Sequence, residues 1–263
     1  MFQIKLNSLP DYFDEYNQPC YLLKQKKGLV EDRNDYLHID ALADGYVTAV
    51  STTLRLWVSQ QVSLAAAGRK VDMLEVGGAT GVFFDWVKET ACTYINIEPC
   101  PMLLDEKALE RLKDSRYMCI KCSGEDIPLQ DESVDIILAI SSFDHIPDHR
   151  KALREIKRLL RKNGLFILTL NNRRSWWKSL LSGSDYLKKR EELIAKDHYI
   201  QWSFSECESN LSQFFTIENM CTTTFFTFVP QVWRYVLPIT NSIGESLFPK
   251  YGSNILVVCR NAD

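Results

Sequence analysis

The stretch VDMLEVGGATG, Val71 to Gly81, decides how the rest of the chain reads. An apolar run of strand length carries one acid, Glu75, and then breaks into Gly77, Gly78, Ala79, Thr80 and Gly81. Glycines in such a turn let backbone approach a ligand closely, and the helix that follows aims its first amides at it. In a dinucleotide-binding turn the third glycine comes three residues after the second. Here Gly77, Ala79 and Gly81 lie two apart, with Glu75 two residues ahead of the turn. That carboxylate would meet a pyrophosphate with like charge. A ligand carrying an amino group or hydroxyls suits it better.

Outward from the turn, strand and helix signals alternate. Strands are expected at 71–76, 93–98, 117–122, 134–141 and 165–170, and helices at 82–90, 102–114 and 149–162, the last stopping at Asn163-Gly164. Near-continuous apolar strands separated by helices indicate a parallel sheet covered on both faces. The second strand ends in INIEP, which places Glu98 twenty-one residues after Gly77. A carboxylate there can accept hydrogen bonds from ribose hydroxyls at the crevice of an open sheet. After Asn171 the rhythm breaks. A helical segment is expected over 173–203, a capped helix over 203–214 with Ser203 or Ser205 as cap, and strands over 215–223 and 254–261. An aromatic-rich segment fills 225–252, and a helix is expected at 46–62.

Composition sets bounds. The 263 residues are 46% hydrophobic and 25% charged, with a net charge of -3, which gives no global reason to expect nucleic acid. No run is long and apolar enough to cross a membrane, and the first residues are too polar for a signal peptide, so a cytoplasmic protein is expected. The eight cysteines read as reduced thiols, and the CIKC pair, Cys119 and Cys122, as chance placement at a strand end rather than a zinc knuckle. The basic residues of 149–162 fall opposite the apolar stripe Leu153, Ile156, Leu159 and Leu160, as on a solvated helix face. The segment RRSWWKSLL, 173–181, reads as a lid helix, with membrane-surface contact the alternative.

Over residues 71–171 the chain resembles class I S-adenosylmethionine-dependent methyltransferases, specifically the small-molecule, type 11-like branch. LEVGGATG is similar to the family's first motif and NIEP to its second. CSGEDIPLQDESVDIILAISSFDHIPD, 122–148, looks like the adenine-side turn, the fourth strand and the segment after it, and RLLRKNGLFILTL, 158–170, like the helix and fifth strand that follow. The resemblance implies a Rossmann-like α/β fold: a seven-stranded, mostly parallel sheet with helices on both faces. An N-terminal helical cap would span 1–65 and the cofactor-binding domain 66–263, with helical inserts after strands five and six at about 173–202 and 225–252. It implies that Glu75, Gly77, Gly78, Ala79, Gly81, Glu98, Ser123, Gly124, Glu125 and Ile140 hold S-adenosylmethionine. Two positions depart from the pattern. Ala79 replaces the middle glycine, which the turn should tolerate if φ there is negative. Ser123 replaces a frequent Asp, leaving Ser123, Gly124, Glu125 and Asp126 to share the adenine edge.

Methyl transfer is an in-line displacement that needs water excluded, the nucleophile aligned and, for some acceptors, a proton removed. His145 is the candidate base, or else packs under the cofactor, and Asp144 would orient it or bind a substrate amine. His198, Tyr199 and Trp233 are candidate substrate contacts, with packing on the sheet edge the alternative for the first two, and His38 with Tyr36 could close over the cofactor or else lie at the surface. Ubiquinone-type relatives carry a Glu, two residues, then Glu-His in this segment, linked to a divalent metal; here Ser141 stands for the first acid, so no metal site is expected. The enzyme expected is a methyltransferase delivering to O, N or C of a small or medium organic acceptor and releasing S-adenosylhomocysteine. The alternative is a methyltransferase-like scaffold or partner subunit that binds cofactor without transfer. Acceptor and oligomeric state are not legible.

Overall fold

The computed structural model describes residues 6–13, 18–20, 46–99, 106–175, 198–225 and 233–262. In chain order these form β1 (Tyr12–Phe13), β2 (Pro19–Cys20), α1 (Tyr46–Ala66), β3 (Val71–Val76), α2 (Phe84–Val87), β4 (Ala91–Ile97) and α3 (Glu106–Arg111). Then come β5 (Tyr117–Ile120), β6 (Val134–Ile140), a 3-10 turn (Phe143–His145), α4 (His149–Leu159), β7 (Leu160–Asn171), α5 (Phe204–Leu211), β8 (Thr216–Thr223), α6 (Trp233–Leu247) and β9 (Asn254–Arg260).

Seven strands make one sheet in the order β5-β4-β3-β6-β7-β9-β8. β3 to β7 pair parallel, and β9 runs antiparallel to both β7 and β8. The chain builds outward from β3 through β4 to β5, then returns to place β6 on the other side of β3. Strand order therefore reverses between β3 and β6, and a crevice for a ligand opens at their C-terminal ends. This is the Rossmann-like sheet that the resemblance implied.

Side chains alternate between two cores. Leu74, Val76, Ile95, Ile97, Ile137, Ala139, Phe166 and Leu168 pack with Ala152, Leu153, Ile156 and Leu159 of α4 and with Cys207 and Leu211 of α5. Met73, Tyr94, Ile136, Leu138 and Ile167 face the other way, onto Val58, Val62 and Ala66 of α1 and Phe84 and Val87 of α2. Helices thus cover both faces, as parallel strands require. β1 and β2 form a short antiparallel pair that reaches the sheet edge through a Cys20–Lys121 bridge.

Several expected boundaries move. The helix at 82–90 contracts to Phe84–Val87, because residues 78–83 are spent in tight turns: Gly81 N–H donates to Gly78 O and Phe84 N–H to Gly81 O. The helix over 149–162 ends at Leu159, and β7 already begins at Leu160. Asn163-Gly164 is a bulge inside β7 rather than a helix stop. Val134 pairs with Leu160 and Ile136 next pairs with Leu165, so the residues between loop out, with Asn163 at φ +63. Asp148 caps α4 by accepting Lys151 N–H at 2.9 Å. Ser203, rather than Ser205, caps α5, in a reciprocal box with Glu206. The basic residues of α4 do more than face water: Arg158 binds Glu155, Asp131 and the carbonyls of Ile127 and Leu129. The expected helix at 102–114 is described as Glu106–Arg111. Most of 173–203, with Trp176 and Trp177, lies outside the described residues, as do Tyr36 and His38.

Candidate active site

The turn after β3 is shaped from below by a buried polar cluster. Glu75 is only 4% exposed and accepts the Tyr94 hydroxyl at 2.6 Å. Burial is the largest influence on its carboxyl group and raises its pKa from 4.5 to about 7; Glu98 raises it further, while the Tyr94 hydrogen bond, Arg55 and Arg111 pull it down. Asn96 donates to the Ala79 carbonyl at 3.0 Å and to the Tyr117 hydroxyl at 3.2 Å. Arg111 donates to the Thr80 carbonyl at 3.0 Å and grips Asp85 with two nitrogens, tying the turn to α2.

Each glycine here has a geometric reason. Gly77 and Gly81 take φ of +69 and +70. A Cβ on Gly78 would lie 2.3 Å from Glu75 Oε2 and 2.4 Å from Asn96 Oδ1, and one on Gly81 would lie 2.0 Å from the Tyr117 hydroxyl. The condition set for Ala79 fails, because its φ is +48, in the left-handed region. Its amide donates to Glu98 Oε2 at 2.9 Å and its carbonyl accepts Asn96, so side-chain bonds on both sides hold the residue in that conformation.

Glu98 leaves β4 at the crevice beside this turn. One oxygen takes the Ala79 amide, which ties the carboxylate to the turn. On the far side of β4, Ser123 donates to Glu125 at 3.0 Å, and Glu125 also accepts the Asp148 amide at 2.6 Å. Two of the residues expected to share an adenine edge are thus tied to each other. Gly124 is buried, with Ile146 and Val76 where its side chain would be. Ile140 ends β6, partly buried.

The acceptor-side candidates cluster more tightly than their spacing suggests. Ser142 donates to the Val76 carbonyl, which pins the 3-10 turn Phe143–His145 against Gly77. Asp144 is 2% exposed. Its backbone carbonyl accepts the amides of Tyr199 at 2.8 Å and Ile200 at 3.3 Å, and this seats His198 over its carboxylate. His198 Nε2 lies 3.2 Å from Asp144 Oδ2 and His145 Nε2 3.9 Å from Oδ1, with the two imidazoles 4.3 Å apart. Asn171 donates to Oδ2 at 3.2 Å. Burial, the largest influence, raises the pKa of Asp144, but His198, His145 and Asn171 together outweigh it and the carboxyl is held below its ordinary value. His145 is therefore the looser partner of Asp144 and His198 the closer one. The Tyr199 side chain is 39% exposed, and Trp233 opens α6 with its side chain outside the described residues. Cys119 and Cys122 are buried thiols.

The sequence reading missed Tyr94, Asn96, Arg111 and Tyr117, which build the floor of the turn. They sit on β4, α3 and β5, and no local motif marks them.

Residues 74–168 match the family model described as a methyltransferase domain. An "Uncharacterized methyltransferase" of Mycobacteroides abscessus is 34% identical over 116 residues, 43% of this chain and 44% of that protein. The chain thus spans less than half the length of that curated relative. A candidate sarcosine dimethylglycine methyltransferase from Galdieria sulphuraria superposes with a TM-score of 0.59 at 16% identity, covering 88% of this chain and 98% of that one. The [4+2]-cyclase SpnF gives 0.55 at 17% identity over 77% and 79%. At these identities the two structures speak for the fold alone. Residues 74–168 thus match a methyltransferase-domain model, and the strand order is that of the class I methyltransferase fold.

Proposed function

We propose that this chain is an S-adenosylmethionine-dependent methyltransferase that transfers to an O, N or C atom of a small or medium organic acceptor. The observation that carries the reading is the cradle at Gly77–Gly81. Backbone is brought close to Glu75, Asn96 and Glu98, and Gly78 lies so tightly against Glu75 and Asn96 that a Cβ there would clash with both. The donor set fits the cofactor. Glu75 suits the amino group of its methionine part, Glu98 its ribose hydroxyls, and Ser123, Gly124, Glu125 and Ile140 line the side where its adenine would lie. Bound there, the cofactor supplies a methyl group on a positively charged sulfur.

The remaining work falls to the protein. The pinned 3-10 turn sets Asp144 and His145 beside the glycine turn, where an acceptor would approach in line. Asp144 holds His198 in place through Nε2, so the nitrogen of an imidazole that can take a proton from an acceptor hydroxyl or ammonium is Nδ1. Asp144, His145 and His198 therefore form the acceptor-side group, with Tyr199 and Trp233 as further contacts. The fold alone does not settle transfer chemistry, since a [4+2]-cyclase shares it. The test offers methyl-labelled S-adenosylmethionine with pooled phenols, amines and acids and follows S-adenosylhomocysteine release. Release that depends on one pool and drops in Asp144→Asn supports the reading. Binding of S-adenosylhomocysteine without release from any pool would favour the non-catalytic alternative.

A further inference from the structure

The buried carboxylate of Asp144 leaves a question that proton handling does not answer. Its Oδ1 is shielded from water and has no hydrogen-bond partner among the described residues, although Oδ2 is served by both His198 and Asn171. A buried carboxylate oxygen left unmatched is costly to keep. Around it, Asp144, His145 and His198 each present a ligand atom, and all these atoms lie within 4.8 Å of one another. We propose that Asp144, His145 and His198 form a binding site for a divalent transition-metal ion at the C-terminal edge of β6 and β7.

Geometry favours this over a static cluster. Metal–nitrogen and metal–oxygen bonds of about 2.0–2.2 Å place neighbouring donors roughly 3.0–3.4 Å apart. His198 Nε2 to Asp144 Oδ2 already measures 3.2 Å. His145 Nε2 stands 3.9 Å from Oδ1, so less than 1 Å of closure by a side chain that is 42% exposed completes the set. Two imidazoles and one carboxylate suit zinc, iron, cobalt or manganese and select against magnesium and calcium, which prefer all-oxygen shells. The supporting contacts are those that metal ligands use: Asn171 holds the carboxylate, and the Tyr199 and Ile200 amides on the Asp144 carbonyl fix the approach of His198. Ser141, the position whose lack of an acid argued against a metal, is not needed, because His198 supplies the third ligand from 53 residues beyond His145. If the proposed transfer reaction holds, on which this last step rests, the ion's open positions would take an oxygen donor of the acceptor.

The test is titration of the chelator-treated protein with cobalt(II), followed by calorimetry and visible absorbance. One equivalent should bind in the micromolar range, with d–d bands and no thiolate charge-transfer band, which excludes the cysteines as ligands. His145→Ala and His198→Ala should each weaken binding at least tenfold while leaving S-adenosylhomocysteine affinity unchanged. His145 is half exposed, so its variant should fold even if His198→Ala does not. No cobalt binding, a thiolate band, or binding unchanged in His145→Ala overturns the site. Loss of S-adenosylhomocysteine binding with cobalt binding intact would instead count against the transferase reading and leave the metal site standing.

Discussion

Replacing Glu75 by glutamine should stabilise the ligand-free protein at neutral pH and lose that advantage in acid. Glu75 is 4% exposed, and burial raises its carboxyl pKa from 4.5 to about 7. Below about pH 4.5 the group is protonated in both folded and unfolded chains and costs nothing. Between 4.5 and about 7 the unfolded chain has released its proton while the folded chain retains it. Folding must then take up a proton, and stability falls by about 1.4 kcal/mol per pH unit. Above about 7 both states are ionised and the full loss is in place. Over that interval the loss comes to about 3 kcal/mol. Glutamine mimics the protonated acid, keeps an oxygen for the Tyr94 hydroxyl and cannot ionise. In reversible urea unfolding, the stability of Glu75→Gln minus that of the parent should therefore be about 3 kcal/mol more favourable at pH 8 than at pH 4. Any constant effect of the substitution cancels in that comparison. A difference that stays flat across the range would refute the burial argument.

Two further substitutions examine the turn. Ala79→Gly should be neutral or stabilising by up to about 1 kcal/mol in urea unfolding, against the usual cost of a glycine, because Ala79 sits at φ +48. Destabilisation by 1 kcal/mol or more would mean that the residue is not held in that conformation. Gly78→Ala should weaken S-adenosylhomocysteine binding at least tenfold and cost about 1–3 kcal/mol of stability, since its Cβ would fall 2.3 Å from Glu75 Oε2. Calorimetry and thermal unfolding read both effects, and an unchanged affinity would place the cofactor elsewhere.

The sheet was legible because parallel strands are buried on both faces and so read as apolar runs. VDIILAI and LFILTL, within β6 and β7, needed no tertiary information. Asn163-Gly164 misled because a left-handed residue beside a glycine serves a strand bulge as well as a helix end, and only the pairing of β7 with β6 tells them apart. At the proposed cofactor site the glycines and the two acids were readable as a local motif. Tyr94, Asn96, Arg111 and Tyr117 were not, since their work depends on which strands become neighbours. The sign of φ at Ala79 was hidden for the same reason: the bonds that hold it come from Glu98 and Asn96. At the acceptor side, Asp144 and His145 stood out as adjacent polar residues after an apolar strand. The closeness of His198 is a product of backbone hydrogen bonds to the Asp144 carbonyl, which sequence spacing does not encode.

The central claim is that the turn after β3 and the acid after β4 hold one nucleoside cofactor. Calorimetric titration with S-adenosylhomocysteine, repeated on Glu98→Ala, tests it most directly. The account predicts one site of micromolar affinity in the parent, weakened about 10- to 100-fold in the variant as charge-assisted hydrogen bonds to ribose and the Ala79 anchor are lost. No heat at millimolar ligand in the parent, or equal affinity in the variant, would contradict it.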